Sequence, residues 1–140
     1  MNKNILLSVI FLVGLSCETS PENFIPYLEG YWEIKEVSRN NKPIKSYKIS
    51  TSVDYFKVNS DFTGFRKKVK PSLDGTYTIT QHESSFRLVV KDNQLNISYD
   101  VNNVIFNEII EKASERELII SNSDGFKYTY KPFEPFNFKE

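Results

Sequence analysis

At 140 residues, with 39% hydrophobic and 26% charged residues, the chain has the size and composition of one globular domain. Its 18 basic and 18 acidic side chains balance, so no long-range attraction for nucleic acid is expected. Eleven Phe, eight Tyr and one Trp favour strands over helices. The single cysteine excludes an intramolecular disulfide, so the fold must be held by its core.

The first sixteen residues form a leader unlike the rest of the chain. A short positive segment precedes an apolar run at residues 5–13, which is shorter than the ~20 residues that span a bilayer. This pattern predicts a signal peptide at residues 1–16. The Gly14-Leu15-Ser16-Cys17 segment resembles the lipobox of bacterial lipoproteins. That resemblance implies that Cys17 is acylated, becomes the new N-terminus and attaches the protein to a lipid bilayer.

A short polar tether is predicted between the leader and the folded domain. It covers residues 17–27, in which Ser20 is placed to cap one helical turn that has Pro21 at its first position. Residues 28–140 then form one domain.

Alternation of apolar and polar side chains, the period of a β-strand, dominates from residue 28 onward. Trp32 and Ile34 share one face of the first strand. Runs at residues 53–58 and 62–69, rich in aromatic and β-branched side chains, predict two more strands.

Three hairpin-linked strands form the clearest part of the pattern. Asp74-Gly75 and Asp92-Asn93 are turn dipeptides. The alternating runs lie at residues 76–80, 86–91 and 95–101. Together they predict an antiparallel meander.

The run at residues 104–112 suits either a strand or a short helix on period alone. We expect a strand, because its four β-branched residues disfavour a helix. A last hairpin follows, with its turn at Asp124-Gly125. About eight to ten short strands with turns every 8–12 residues predict an all-β barrel; the alternative is a β-sandwich.

The Gly30-Tyr31-Trp32 segment resembles the first strand of a lipocalin-type barrel, which commonly opens Gly-X-Trp. Residues 109–130 are similar to the closing hairpins of the small lipocalin-like domains found on many bacterial lipoproteins. The resemblance covers roughly residues 28–131 and implies an antiparallel lipocalin-like barrel. It also implies that the Trp32 ring plugs one barrel end and is not catalytic.

The interior of such a barrel is the place for a ligand. A barrel of about eight strands holds one small ligand or fills itself with side chains. Tyr55 and Tyr130 are expected near this interior. The residues predicted to line a ligand site are Trp32, Phe56, Tyr77, Phe86, Tyr99 and Tyr128. The alternative is that these side chains form an ordinary core.

The sequence contains no recognisable motif for catalysis, metal binding or phosphate binding. His82 with Glu83 falls short of the three or four ligands of a zinc site. No nucleophile elbow and no Gly-rich phosphate loop occurs. Asp54 and Glu108 are among the carboxylates that can approach one another, but their spacing gives no evidence for a glycosidase pair. We therefore expect no enzyme, no metal and no cofactor.

Two surface features are open to a functional interpretation. Arg66 and Lys68 share one face of a strand with Lys70. We expect this face to keep a sheet edge soluble; the alternative is contact with lipid head groups or an anionic ligand. An aromatic tail is expected to form a flap over one barrel opening, or else a segment that docks a partner. Its members are Phe133, Phe136 and Phe138.

These patterns together predict a lipid-anchored lipoprotein of the bacterial cell envelope, at the outer membrane. Its domain binds a small hydrophobic or amphipathic ligand. The alternative is a filled barrel with a structural role or with an envelope protein as its partner.

Overall fold

The computed structural model describes residues 19–48, 50–79 and 83–135. Within these ranges a 3₁₀ turn (Pro21–Phe24) and a one-turn helix, α1 (Ile25–Leu28), precede ten strands. The strands are β1 (Gly30–Arg39), β2 (Lys42–Ser46), β3 (Val53–Val58), β4 (Thr63–Pro71), β5 (Tyr77–Ile79), β6 (Ser84–Lys91), β7 (Gln94–Val101), β8 (Val104–Ala113), β9 (Leu118–Asn122) and β10 (Phe126–Pro132). The predictions for Cys17, His82, Phe136 and Phe138 lie outside the described residues.

Eight of these strands close into an antiparallel barrel. Their order is β10-β9-β8-β7-β6-β4-β3-β1, and β10 also pairs with β1, which removes both sheet edges. The two remaining strands extend the barrel wall, since β2 pairs with the end of β1 and β5 with the end of β4. The prediction of an antiparallel lipocalin-like barrel is therefore confirmed, and the sandwich alternative is wrong.

The helical segment before β1 covers one end of the barrel, which we call the closed end. Leu28 is fully buried there, and the indole N–H of Trp32 donates to the Leu28 carbonyl oxygen at 2.9 Å. The short helix predicted near Pro21 is present, but the Ser20 side chain makes no capping hydrogen bond. In the described ranges, no helix has the length and apolar character needed to cross a membrane.

Left-handed turns connect several strands. Two consecutive residues with positive φ, the conformation that two-residue hairpins need, link β1 to β2, β6 to β7 and β7 to β8. These pairs are Asn40-Asn41, Asp92-Asn93 and Asn102-Asn103. Asn and Asp tolerate this conformation because their short side chains bond to the local backbone. The prediction of a turn at Asp92-Asn93 is confirmed.

The lower half of the barrel, nearer the closed end, is packed with apolar side chains. Its fully buried members come from every part of the sheet: Leu28, Phe56, Leu95, Ile97, Ile110, Leu118 and Ile120. The run predicted as a strand at residues 104–112 is β8, and its apolar inner face supplies Ile110 to this core. We call the opposite end, where the β7–β8 turn lies, the open end.

Candidate functional site

Four charged side chains meet inside the barrel, in its half nearer the open end. They are carried by β3 (Asp54), β4 (Arg66 and Lys68) and β8 (Glu108). Asp54 pairs directly with the core residue Trp32 on β1 and therefore shares its inward face. We call these four residues the internal charge cluster.

Arg66 is the centre of the internal charge cluster. Its Nη2 lies 3.2 Å from Asp54 Oδ2, and its Nη1 lies 3.5 Å from Glu108 Oε2. Lys68 Nζ lies 3.1 Å from the other oxygen of Asp54. Asp54 is 4% exposed, whereas the Lys68 side chain is 40% exposed. The cluster therefore reaches from the buried interior to solvent at the open end.

Two tyrosine hydroxyls complete the surroundings of the guanidinium. Arg66 Nη1 donates to Tyr99 Oη at 3.2 Å, and Nη2 donates to Tyr130 Oη at 2.9 Å. The guanidinium also lies over the Phe56 ring, 5.0 Å from its centroid. No buried side-chain nitrogen or oxygen of the described residues lacks a hydrogen-bond partner. The polar groups inside the barrel are thus tolerated because they satisfy one another.

The pKa values of these groups follow from burial and from their partners. Burial acts to lower the pKa of Arg66, but the facing Tyr130, Tyr99 and Asp54 outweigh it and hold the pKa well above its ordinary value. Burial raises the pKa of Tyr99 to about 12. Burial also raises the pKa of Glu108, against the opposing effect of Arg66. The site therefore keeps a permanent cation beside a carboxyl that binds its proton more tightly than usual.

Apolar side chains of β8 line one side of the open end beside this cluster. Val104 and Phe106 pair with Val101 and Tyr99, so both lie on the inner face of the β7–β8 hairpin. Phe106 is nevertheless 54% exposed, and it lies two positions from Glu108 along the same strand. The mouth of the barrel thus combines an exposed apolar wall with a cationic and a carboxylic group.

Residues 28–134 match the family described as lipocalin-like domain. The chain belongs to this family. Comparisons with curated proteins and with solved structures gave no match. The matched span of this lipocalin-like domain contains all strands of the barrel and the whole internal charge cluster.

The structure separates the six residues predicted to line a ligand site. Trp32 covers the closed end, while Phe56 and Phe86 belong to the packed core of the lipocalin-like domain. Tyr99 is buried with its hydroxyl in the charge cluster, and Tyr128 is partly buried on the inner face. For Tyr99 and Tyr128, which lie nearest the mouth, the ligand-binding role stays a prediction.

Tyr77 lies on the outside of the barrel, so its predicted inward orientation is wrong. Its ring stacks on Tyr31 with 4.7 Å between centroids, and Tyr55 lies 4.6 Å from Tyr31 on the same outer face. Tyr31 faces outward because its neighbour Trp32 faces inward. The prediction that Tyr55 lies near the interior is wrong for the same reason. Strand alternation fixed which side chains share a face but not which face is the inner one.

The basic face of β4 points inward rather than outward. Arg66 and Lys68 share a face, as predicted, but both contact Asp54 inside the barrel. The expectation that they keep an exterior sheet edge soluble is therefore wrong. Asp54 and Glu108 were not predicted as part of a site. The available signal was Asp54 itself, a carboxylate between Val53 and the aromatic pair Tyr55 and Phe56 on β3.

The described part of the aromatic tail lies on the outer face. The Phe133 N–H donates to the Tyr31 carbonyl oxygen at 3.0 Å, and its ring lies 6.4 Å from that of Tyr77. The expectation that Phe133 forms a flap over a barrel opening is therefore wrong. With Tyr55 and Phe65, whose rings lie 6.1 Å apart, these side chains form what we call the outer aromatic cluster.

Within the described ranges, no group of three or more His, Cys, Asp and Glu side chains is placed to hold a metal ion. An open groove of about 610 Å³ lies on the outer wall, where β4, β6, β7 and β8 meet. Phe65, Arg87 and Asp100 are among its lining residues. This groove and the mouth are separate surfaces, because they lie on opposite faces of the same strands.

Proposed function

We propose that this chain is a lipid-anchored lipoprotein of the bacterial cell envelope whose lipocalin-like domain binds a small amphipathic ligand at the open end. One observation supports ligand binding at this end: Phe106 faces the barrel axis yet is 54% exposed, beside the internal charge cluster. An apolar side chain in that position gains free energy when a ligand covers it. The anchor is supported by the position of Cys17 directly after an apolar leader.

The packed core leaves the mouth as the place for such a ligand. Phe56 and Ile97 are fully buried in the packed lower half of the barrel, so a ligand that reached them would have to displace well-packed side chains. An apolar tail laid across Val104, Phe106 and Tyr128 needs no such displacement.

The charges at the mouth favour an anionic head group. Lys68 donates one hydrogen bond, to Asp54, and its half-exposed ammonium has further N–H groups to donate. The raised pKa of Glu108 reduces the negative charge that would repel an anion. A carboxylate or phosphate near Lys68 is therefore the polar group that we expect.

A fluorescent long-chain fatty acid titrated into the chain lacking residues 1–17 tests the ligand. Phe106→Ser should weaken its binding at least tenfold, because ~1.5–3 kcal/mol of apolar burial is at stake. Ile105→Ser is the matched control: Ile105 adjoins Phe106 and is 58% exposed, but it lies on the outer face. Equal losses in both variants, or no binding to the unmodified protein, would reject the proposal.

The anchor has its own test. The intact mass of protein extracted in detergent should show loss of residues 1–16 and addition of acyl groups. Cys17→Ser should abolish both changes. A free thiol in the mature protein would remove the lipoprotein part of the proposal and leave the ligand part standing.

A second candidate is an interaction lipoprotein with a filled barrel. The packed lower core favours it, as does the outer aromatic cluster. Lys67 lies over both Tyr55 and Phe65, 5.5 Å from each ring. An envelope protein that co-purifies with the chain and is lost in Lys67→Glu, while Phe106→Ser has no effect, would favour this candidate.

A further inference from the structure

We infer that the closed end of the barrel rests on the lipid bilayer, with Tyr27 and Phe62 at the membrane interface, and that the mouth opens away from the membrane. This inference rests on the acylation of Cys17 proposed above. It adds which face of the domain meets the lipid and from which side a ligand arrives.

The length of the tether restricts the orientation. Cys17 precedes Thr19 by two residues, and an extended chain spans at most ~3.6 Å per residue. The acylated residue therefore lies within roughly 7 Å of Thr19. Thr19 and Pro21 line an open crevice together with Asn93 and Gln94 of the β6–β7 turn. That turn belongs to the closed end, so the acyl chains must enter the bilayer there.

Two aromatic side chains are exposed at this same end. Tyr27 lies on α1 and is 42% exposed, and Phe62 lies in the β3–β4 turn and is 51% exposed. A Lys57–Glu29 ion pair ties the end of β3 to the residue after α1. Aromatic rings are favoured at the interface between lipid and water. An acyl anchor beside Thr19 brings this end of the barrel to that interface.

Phe62 is held in its exposed position by the backbone. Its φ of +65° is uncommon for a bulky residue. Two hydrogen bonds fix it there: the Phe62 N–H donates to the Asn59 carbonyl at 3.1 Å, and the Leu88 N–H donates to the Phe62 carbonyl at 2.8 Å. Glycine or asparagine would suit this backbone better. The backbone conformation therefore does not explain why a large aromatic ring stands at this position. Contact with lipid does explain it.

Charge alone would not bring this surface to the membrane. The Lys57–Glu29 pair and the Lys112–Glu117 pair, at 2.8 Å, are each neutral. The acyl chains thus hold the domain, and the aromatic rings set its orientation. Strands of eight residues, tilted as in a barrel, give a height of roughly 20 Å. The mouth is then about that far from the lipid surface, and a ligand enters from the aqueous side.

Thiol labelling of the acylated protein in phosphatidylcholine vesicles tests this orientation. Acylation consumes the Cys17 thiol, so an introduced cysteine is the one free thiol of the chain. Phe62→Cys marks the closed end. Asn103→Cys, in the β7–β8 turn with a similar φ of +64°, is the matched control at the open end. A bimane label on each site is quenched either by spin-labelled lipid or by aqueous iodide.

We expect spin-labelled lipid to quench the Phe62→Cys label at least threefold more than the Asn103→Cys label, and iodide to show the reverse order. Tyr27→Cys and Ile44→Cys, exposed at the closed and open ends, repeat the comparison if a turn variant does not fold. Equal quenching at both ends, or stronger lipid quenching at the open end, overturns the orientation while the anchor stands. Failure of the protein to float with the vesicles would overturn both the orientation and the anchor.

Discussion

Replacing Arg66 by Met should destabilise the barrel by about 3 kcal/mol, near the lower end of the range for breaking a buried ion pair. Asp54, 4% exposed, would keep Lys68 as its remaining cationic partner. The hydroxyls of Tyr99 and Tyr130 would lose the donor that now binds both. Met retains an unbranched apolar stem of similar length, so the loss reports mainly on the guanidinium.

Urea unfolding followed by Trp32 fluorescence measures this loss. Trp32 is the one tryptophan of the chain and is buried at the closed end. The urea concentration at the unfolding midpoint should fall, while the dependence of the unfolding free energy on urea concentration stays unchanged. In thermal unfolding, the melting temperature should fall by about 10 °C for a domain of this size. Arg116→Met, at an exposed position in the β8–β9 turn, is the control and should stay within ~0.5 kcal/mol of the unmodified protein.

A double variant decides whether the buried Asp54 charge, left with Lys68 alone, causes the loss. Asp54→Asn combined with Arg66→Met should lose less stability than the two single changes added together, with a coupling of ~1 kcal/mol or more. Strict additivity, or a loss below ~1 kcal/mol for Arg66→Met alone, would refute this account of the cluster.

Three further predictions concern single positions. Because burial raises the pKa of Glu108 in the folded state, binding of its proton stabilises the fold. This stabilisation is fully present below the unfolded-state pKa and is lost as pH rises through the folded-state pKa. Glu108→Gln should therefore melt at a higher temperature than the unmodified protein at neutral pH and converge with it in acid; calorimetry that showed the opposite order would contradict this. Gly64→Ala places a Cβ against the backbone oxygen of Lys57 and 2.6 Å from Phe86 Cζ, so it should lower the unfolding free energy in urea by ~1–3 kcal/mol; an unchanged midpoint would contradict this close approach of β3 and β4. Trp32→Phe leaves the Leu28 carbonyl without its indole donor, so amide exchange in α1 should accelerate by about tenfold or more, in line with a loss of ~1–3 kcal/mol; unchanged protection would show that the bond does not hold the helix.

Much of the strand order could be predicted because local patterns determine it. The runs before and after Asp92-Asn93 alternate cleanly, and a two-residue turn leaves them one way to pair. β8 was correctly expected as a strand from its β-branched residues. β2 was not foreseen, because its side chains are all exposed and carry no alternation.

The internal charge cluster could not be predicted because both faces of β3 carry apolar side chains, while the apolar side chains of its partner β4 lie on the outer face. Val53 and Tyr55 are apolar on the outer face, as Phe56 is on the inner one. The outer face is buried as well, since Val53 and Val69 are shielded although neither belongs to the main core. Periodicity then gives no direction, and long-range pairing decides which face points inward.

The pairing of β1 with β10 has a consequence for how the protein folds. Most strands pair with their neighbours in sequence, but Trp32 pairs with Pro132, near the far end of the domain. Joining such distant segments is the step with the largest loop-closure entropy, and contacts of this kind slow folding. A chain emerging N-terminus first can form its hairpins early but cannot seal the cylinder until its last strand is free. Loss of β10 would thus leave two open edges, and a truncated product would be expected to aggregate or be degraded.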